Sequence, residues 1–197
     1  MPNPHPDKEE IKIFNAAVDL FARKGYADAT VSEIALKAGV KKQDVYHHFH
    51  TKKALLSSLL EKIWQKLADE MITLAETEAL DPLEKIDKMV DDTIDIFSEN
   101  PKLASVFFNE YNPILSGKID SLNAHYVHYL KAFADIFNKG LHQQFINPVV
   151  DGRVFLFFIH GGLRSVIQEW AMHPKIFDLE KIKENIKYQI KHGIIKW

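Results

Sequence analysis

The chain has 197 residues, 46% of them apolar and 26% charged, with a formal net charge of −2 at pH 7. This is the composition of a globular protein with enough chain for a real core in one or two domains, and it carries no global basic field to attract nucleic acid. There is no cysteine, which excludes disulfides and thiolate metal sites. The absence of a long apolar run and of an apolar signal core predicts a cytoplasmic protein with no membrane partner.

Residues 1–6 alternate with proline and read as a disordered tail. Asp7 to Lys24 has helical spacing in Ile11, Phe14, Val18 and Phe21, and Gly25 is expected to stop it. Thr30 and Glu33 have capping-box spacing, which satisfies orphan N–H groups at a helix start. That helix ends at Gly39, where a left-handed residue is cheap. A second short helix, Lys42 to His48, presents Val45 and Phe49 inward. Two short helices joined by a glycine-containing turn are a helix-turn-helix.

Thr51 reads as the N-cap of a long helix, Lys52 to about Ala79, with an apolar stripe from Leu55 to Leu74. Asp81-Pro82 and Asn100-Pro101 open two more helices, and Asn112-Pro113 with Ser116-Gly117 break the second. Helices follow over about Lys118–Gln144, Asp151–Met172 and Asp178–His192, the last stopped by Gly193. The helix after Asp151 is apolar nearly all round its first half, so one face meets the core and the other needs a partner. The expected fold is all-α, with about nine helices and no strands.

Positive charge collects on the helix-turn-helix. Between Lys37 and Lys53 stand five lysines against the single acid Asp44. The second short helix would enter a DNA major groove. Lys41, Lys42, Gln43 and His47 are then the candidates for base edges, with Lys suited to guanine and Gln to adenine. Thr30, at a helix start, suits a phosphate. His47, His48 and His50 read as groove contacts, phosphate contacts or packing. His125 and His128 have metal-compatible spacing but lack a third ligand, so no metal and no cofactor are expected.

Aromatics crowd residues 97–170. Core packing accounts for most of them; the functional reading is an apolar effector pocket with polar handles. Its candidate residues are Phe97, Phe107, Tyr111, Tyr126, Phe133, Arg164 and Trp170. Arg164, within an apolar helix, either takes an acidic effector or pairs with an acid such as Glu169 or one across a dimer.

Ala16, Phe21, Gly25-Tyr26, Val31, Ile34-Ala35, Ala38-Gly39-Val40, Tyr46, Phe49, Lys52 and Leu55-Leu56 resemble the N-terminal signature of the TetR family of transcriptional regulators. The resemblance spans residues 9–60; beyond it only the all-helical architecture is similar. It implies a DNA-binding domain over 1–51 and a ligand-binding and dimerisation domain over 52–197. It implies a homodimeric regulator, a repressor, holding a near-palindromic double-stranded operator until a small apolar or amphipathic effector releases it. Tyr46 and Lys52 match positions that touch phosphates in the family. The dimer face would come from the last two helices, through Phe157, Gly161, Ile182, Ile186 and Ile190. Lys41 and Asp44 depart from the family's Ser and Thr. Asp44 either compensates the helix dipole or a lysine, or accepts from cytosine N4. It also motivates the alternative of a TetR-like protein that contacts protein rather than DNA. No glycine-rich phosphate loop and no His–carboxylate pairing suggest an enzyme.

Overall fold

A computed structural model describes residues 8–110 and 120–195. Among them are nine helices: α1 Lys8–Asp28, α2 Val31–Ala38, α3 Lys42–Phe49, α4 Lys52–Glu76, α5 Pro82–Ser98, α6 Pro101–Glu110, α7 Asp120–His142, α8 Gly152–Met172 and α9 Leu179–Ile194. The only strand-like pairing among the described residues is an isolated antiparallel bridge between Ile146 and Ile195. The expected tail over 1–6, Tyr111, and the breaks at Asn112-Pro113 and Ser116-Gly117 lie outside the described residues.

Helices α1 to α3 close on Ile13, Phe14, Ala17, Ile34, Ala35, Val45 and Phe49, all buried. The Phe14 and Phe49 rings lie 5.0 Å apart between centroids. Ala35 is small enough for the helices to cross closely, and Gly39 turns the chain at φ 70°. The α2 start is a full capping box. Thr30 Oγ1 accepts from Glu33 N at 3.3 Å, and Glu33 Oε2 accepts from Thr30 N at 2.9 Å. At Gly25 the first helical run ends as expected, at φ 81°, but a second short run follows the kink directly and carries α1 on to Asp28.

Helix α4 has 25 residues, about 37 Å of rise, and ends at Glu76 rather than Ala79. It runs from the helix-turn-helix into the larger bundle and packs along α7. Helices α5 and α9 are tied by a ladder the sequence reading did not anticipate. Lys183 reaches Asp95 at 2.6 Å, Lys187 reaches Asp91 at 2.8 Å, and Lys191 reaches Asp87 at 2.6 Å. Three lysines four residues apart meet three aspartates four residues apart on an oppositely running helix. Gly193 does not stop α9, which continues to Ile194. The helix goes on because Ile194 is itself a buried core residue and tertiary burial outweighs the ~1 kcal/mol propensity cost of glycine.

Helix α6 sits between the head and the bundle. Its first-turn Lys102 pairs with Asp19 of α1, which also holds Lys37 of α2 at 2.9 Å. Lys102 and Lys37 together hold the Asp19 carboxyl well below the ordinary carboxylate range.

Candidate DNA-reading face and ligand cavity

Lys41, Lys42, Gln43, Tyr46 and His47 all stand exposed on one side of α3. Lysine cannot accept a hydrogen bond, so Lys41 provides no side-chain cap. Asp44 supplies the other half of a cap, its carboxylate accepting from Lys41 N at 2.9 Å. The acid is therefore turned back onto the helix start, where its charge also suits the dipole. Thr30 is exposed, but its hydroxyl donates to Glu33 Oε2 at 2.7 Å. The three histidines diverge. His47 is exposed, His48 meets Glu9 at 3.2 Å, and His50 Nδ1 meets the Tyr46 carbonyl at 3.1 Å. Among the described residues no cluster of three or more His, Cys, Asp or Glu is placed to hold a metal.

Lys52 differs from the phosphate contact expected of it. Its ammonium donates to the carbonyls of Tyr26, Ala27 and Ala29 at 2.7, 3.0 and 2.8 Å and sits 4.4 Å from the Tyr26 ring centroid. All three protons are used to gather the carbonyls at the end of α1 and the start of its link to α2. Lys52→Met should therefore lower stability by about 1.5–3 kcal/mol, lowering Tm by roughly 5 °C. Operator affinity, measured below the melting range, should stay within about twofold. A large affinity loss with unchanged melting would return Lys52 to the phosphate contacts.

The larger bundle holds a half-open cavity of about 210 Å³. Helix α4 contributes Trp64 and Leu67, α5 Thr93 and Phe97, and α6 Phe107 and Phe108. Helix α7 contributes Tyr126 and Tyr129, and α8 Phe157, His160, Gly161, Leu163 and Arg164. The His160 ring meets the Tyr129 hydroxyl at 2.8 Å. Desolvation pushes the imidazole pKa down to about 4, so His160 is neutral at physiological pH. Arg164 donates to the Phe108 carbonyl at 3.2 Å. Its charge thus lies against the C-terminal end of α6, where a cation is favoured.

Of the expected pocket residues, Phe97, Phe107, Tyr126 and Arg164 line this cavity, while Phe133 lines an adjoining groove. Trp170 is a core residue, 5% exposed, and lines neither. Phe157 and Gly161, expected on the dimer face, also line this cavity, and both are exposed, Phe157 at 54%. Trp64, Leu67, Thr93, Phe108, Tyr129, His160 and Leu163 line the cavity without being among the candidates read from the sequence. His160 and Arg164 are four apart, and Trp64 continues the stripe through Leu60, so helical spacing carried some of the signal.

The outward side of α8 and α9 forms a second, shallow apolar groove with Val154, Phe158, Gly162, Ile186 and Ile190 on its walls. Phe158 is 79% exposed and Val154 67%. A Cβ added at Gly161 or Gly162 would meet nothing within 4 Å. The isoleucine stripe of α9 is turned further inward than expected: Ile190 is buried, and Ile182 and Ile186 pack against the subunit's own core.

A basic helix-turn-helix joined by a long helix to a cavity-bearing helical bundle defines a transcriptional regulator of the helix-turn-helix type. Residues 13–59 match the family profile described as bacterial regulatory proteins, tetR family, and residues 54–193 match the YsiA-like protein, C-terminal region. The chain belongs to the TetR family. It is 25% identical over 187 residues to the fatty acid metabolism regulator protein of Bacillus subtilis, covering 93% of this chain and 94% of that one. It is 34% identical over 105 residues to the HTH-type transcriptional repressor SCO4008 of Streptomyces coelicolor, covering 53% of this chain and about half (50%) of that relative. The crystal structure of the transcriptional regulator FadR from Bacillus subtilis in complex with stearoyl-CoA superposes with a TM-score of 0.76 at 24% identity, over 93% of this chain and 98% of that one.

Proposed function

We propose that the chain is a homodimeric repressor that holds a near-palindromic operator and is released by a long-chain acyl effector. The observation that carries this reading is the apolar cavity, one wall of which is α6. At its far end α6 holds the head through Lys102, Asp19 and Lys37. A ligand that favours one position of α6 would shift the head with it, which is a population shift driven by differential affinity. The Bacillus subtilis relatives, named for fatty acid metabolism and for a stearoyl-CoA complex, support an acyl effector. The cavity lining, nearly all aromatic and aliphatic, is suited to the chain of one.

In this reading residues 1–51 bind DNA and residues 52–197 sense the ligand and dimerise in the cytoplasm; no catalytic step is assigned. Lys41, Lys42, Gln43 and His47 face bases, and Tyr46 with Thr30 faces phosphates. The protein-contact alternative has two motives, Asp44 and the near-neutral total charge, and the turning of the Asp44 carboxylate onto Lys41 N weakens the first. Titrating a labelled fragment of DNA upstream of the protein's own gene, at 50 and 200 mM salt, tests the reading. Binding should weaken by at least about 100-fold between the two, as counterion release at several phosphates requires. No binding even at 50 mM would overturn it.

A further inference from the structure

We infer that the effector site is longer than this cavity. Tyr126 and Phe157 form a waist, the inner cavity takes the tail of a single-chain anionic amphiphile, and Arg153 outside the waist takes its head. This rests on the acyl-effector reading and adds the orientation of the ligand and the residue that selects its charge.

The inner cavity, about 210 Å³, is smaller than the ~300–1,000 Å³ of ordinary ligand pockets. Next to it lies a groove of about 620 Å³ walled by Leu130, Phe133, Phe137 and Leu156. Two residues line both spaces, Tyr126 and Phe157. A ligand passing between those rings occupies a combined space within the ordinary range.

Helix α8 supplies the track. Arg153, Phe157, Gly161 and Arg164 recur at spacings of four, four and three, so they share one face over about 16 Å. Arg153 lies at the groove end and Arg164 in the inner cavity. The two arginines are not equivalent. Arg164 already donates to the Phe108 carbonyl. Arg153 is exposed, and among the described residues no ion pair or hydrogen bond engages its guanidinium. Asp151, the one acid among the described residues on the groove, has its carboxylate turned to the backbone N–H groups of Arg153 and Val154 at 2.9 Å each. Arg153 and Tyr126 line the same groove, and the Arg153 charge opposes the rise that burial imposes on the pKa of the Tyr126 phenol. At the inner end His160 is neutral and joined to Tyr129, surroundings that suit a methyl terminus better than a charge.

The test uses the full chain, with binding followed by calorimetry or by Trp64 fluorescence, and three probes of equal chain length: stearoyl-CoA, stearate and stearyl alcohol. Arg153→Gln should weaken an anionic probe about 10- to 100-fold and leave the alcohol unchanged. A loss confined to stearoyl-CoA would mean that Arg153 holds a CoA phosphate; a loss for stearate too would mean that it takes the anionic head of either ligand, phosphate or carboxylate. Either result supports the orientation. Arg153→Gln binding both anions as the wild type does would overturn it. So would Arg164→Gln proving to be the variant that abolishes preference for charge, since the head would then lie inward. If the wild type bound its operator but none of the three probes, the acyl reading would fall together with this inference.

Discussion

Phe158→Asp gives a folded monomer whose operator affinity is at least about 100-fold below wild type. In the isolated subunit the substitution is mild, because Phe158 is 79% exposed and exposed positions tolerate change. In a two-fold interface the same residue enters twice, and each copy would bring an unpaired carboxylate into an apolar contact. Val154, Gly162 and the Ile186 side of the groove lie beside it. Light scattering at micromolar concentration should report half the wild-type mass, with helical content unchanged by circular dichroism. Ile190 is the poorer probe, since it is buried in the subunit's own core and its loss would confound folding with assembly. A Phe158→Asp protein that stays dimeric would move the interface off the α8–α9 face.

The paired substitution Lys41→Glu and Lys42→Glu removes operator binding by about 1,000-fold or more at moderate salt. Both side chains are exposed, so melting should move little. Each head loses two cations and gains two anions beside the phosphates, which lowers affinity and flattens its salt dependence. Lost base contacts, at about 1–3 kcal/mol each, add to that. The Asp44 cap survives, because it uses the backbone N–H of Lys41 and not its side chain. Fluorescence anisotropy on the operator fragment reads both effects. Wild-type affinity in the double variant would place the reading face elsewhere.

Local rules made much of the fold legible. The Thr30–Glu33 box, the Gly39 turn, the Thr51 and Asp81-Pro82 helix starts and the Leu55–Leu74 stripe are short-range patterns, and short-range chemistry enforces them. What escaped the sequence is long-range. Nothing near Lys52 announces that its ammonium will gather carbonyls more than twenty residues back. The Lys183–Asp95, Lys187–Asp91 and Lys191–Asp87 ladder needs two helices brought side by side before its spacing means anything. Phe157 shows the same limit at the site. On a helix apolar nearly all round, periodicity separates the faces poorly, and only the fold decides that Phe157, half-exposed, borders the cavity while Phe158 lies on the outer groove. Gly193 marks a different limit, because glycine permits a helix end without compelling one.

Operator release by a long acyl ligand is the most direct test of the whole mechanism. Preformed wild-type complex with the labelled upstream fragment, held at fixed salt, is titrated with stearoyl-CoA while anisotropy is followed. The predicted result is dissociation that saturates as the ligand site fills, through a ligand that binds the released form more tightly than the DNA-bound one. Anisotropy that stays constant while stearoyl-CoA demonstrably binds the protein would contradict it.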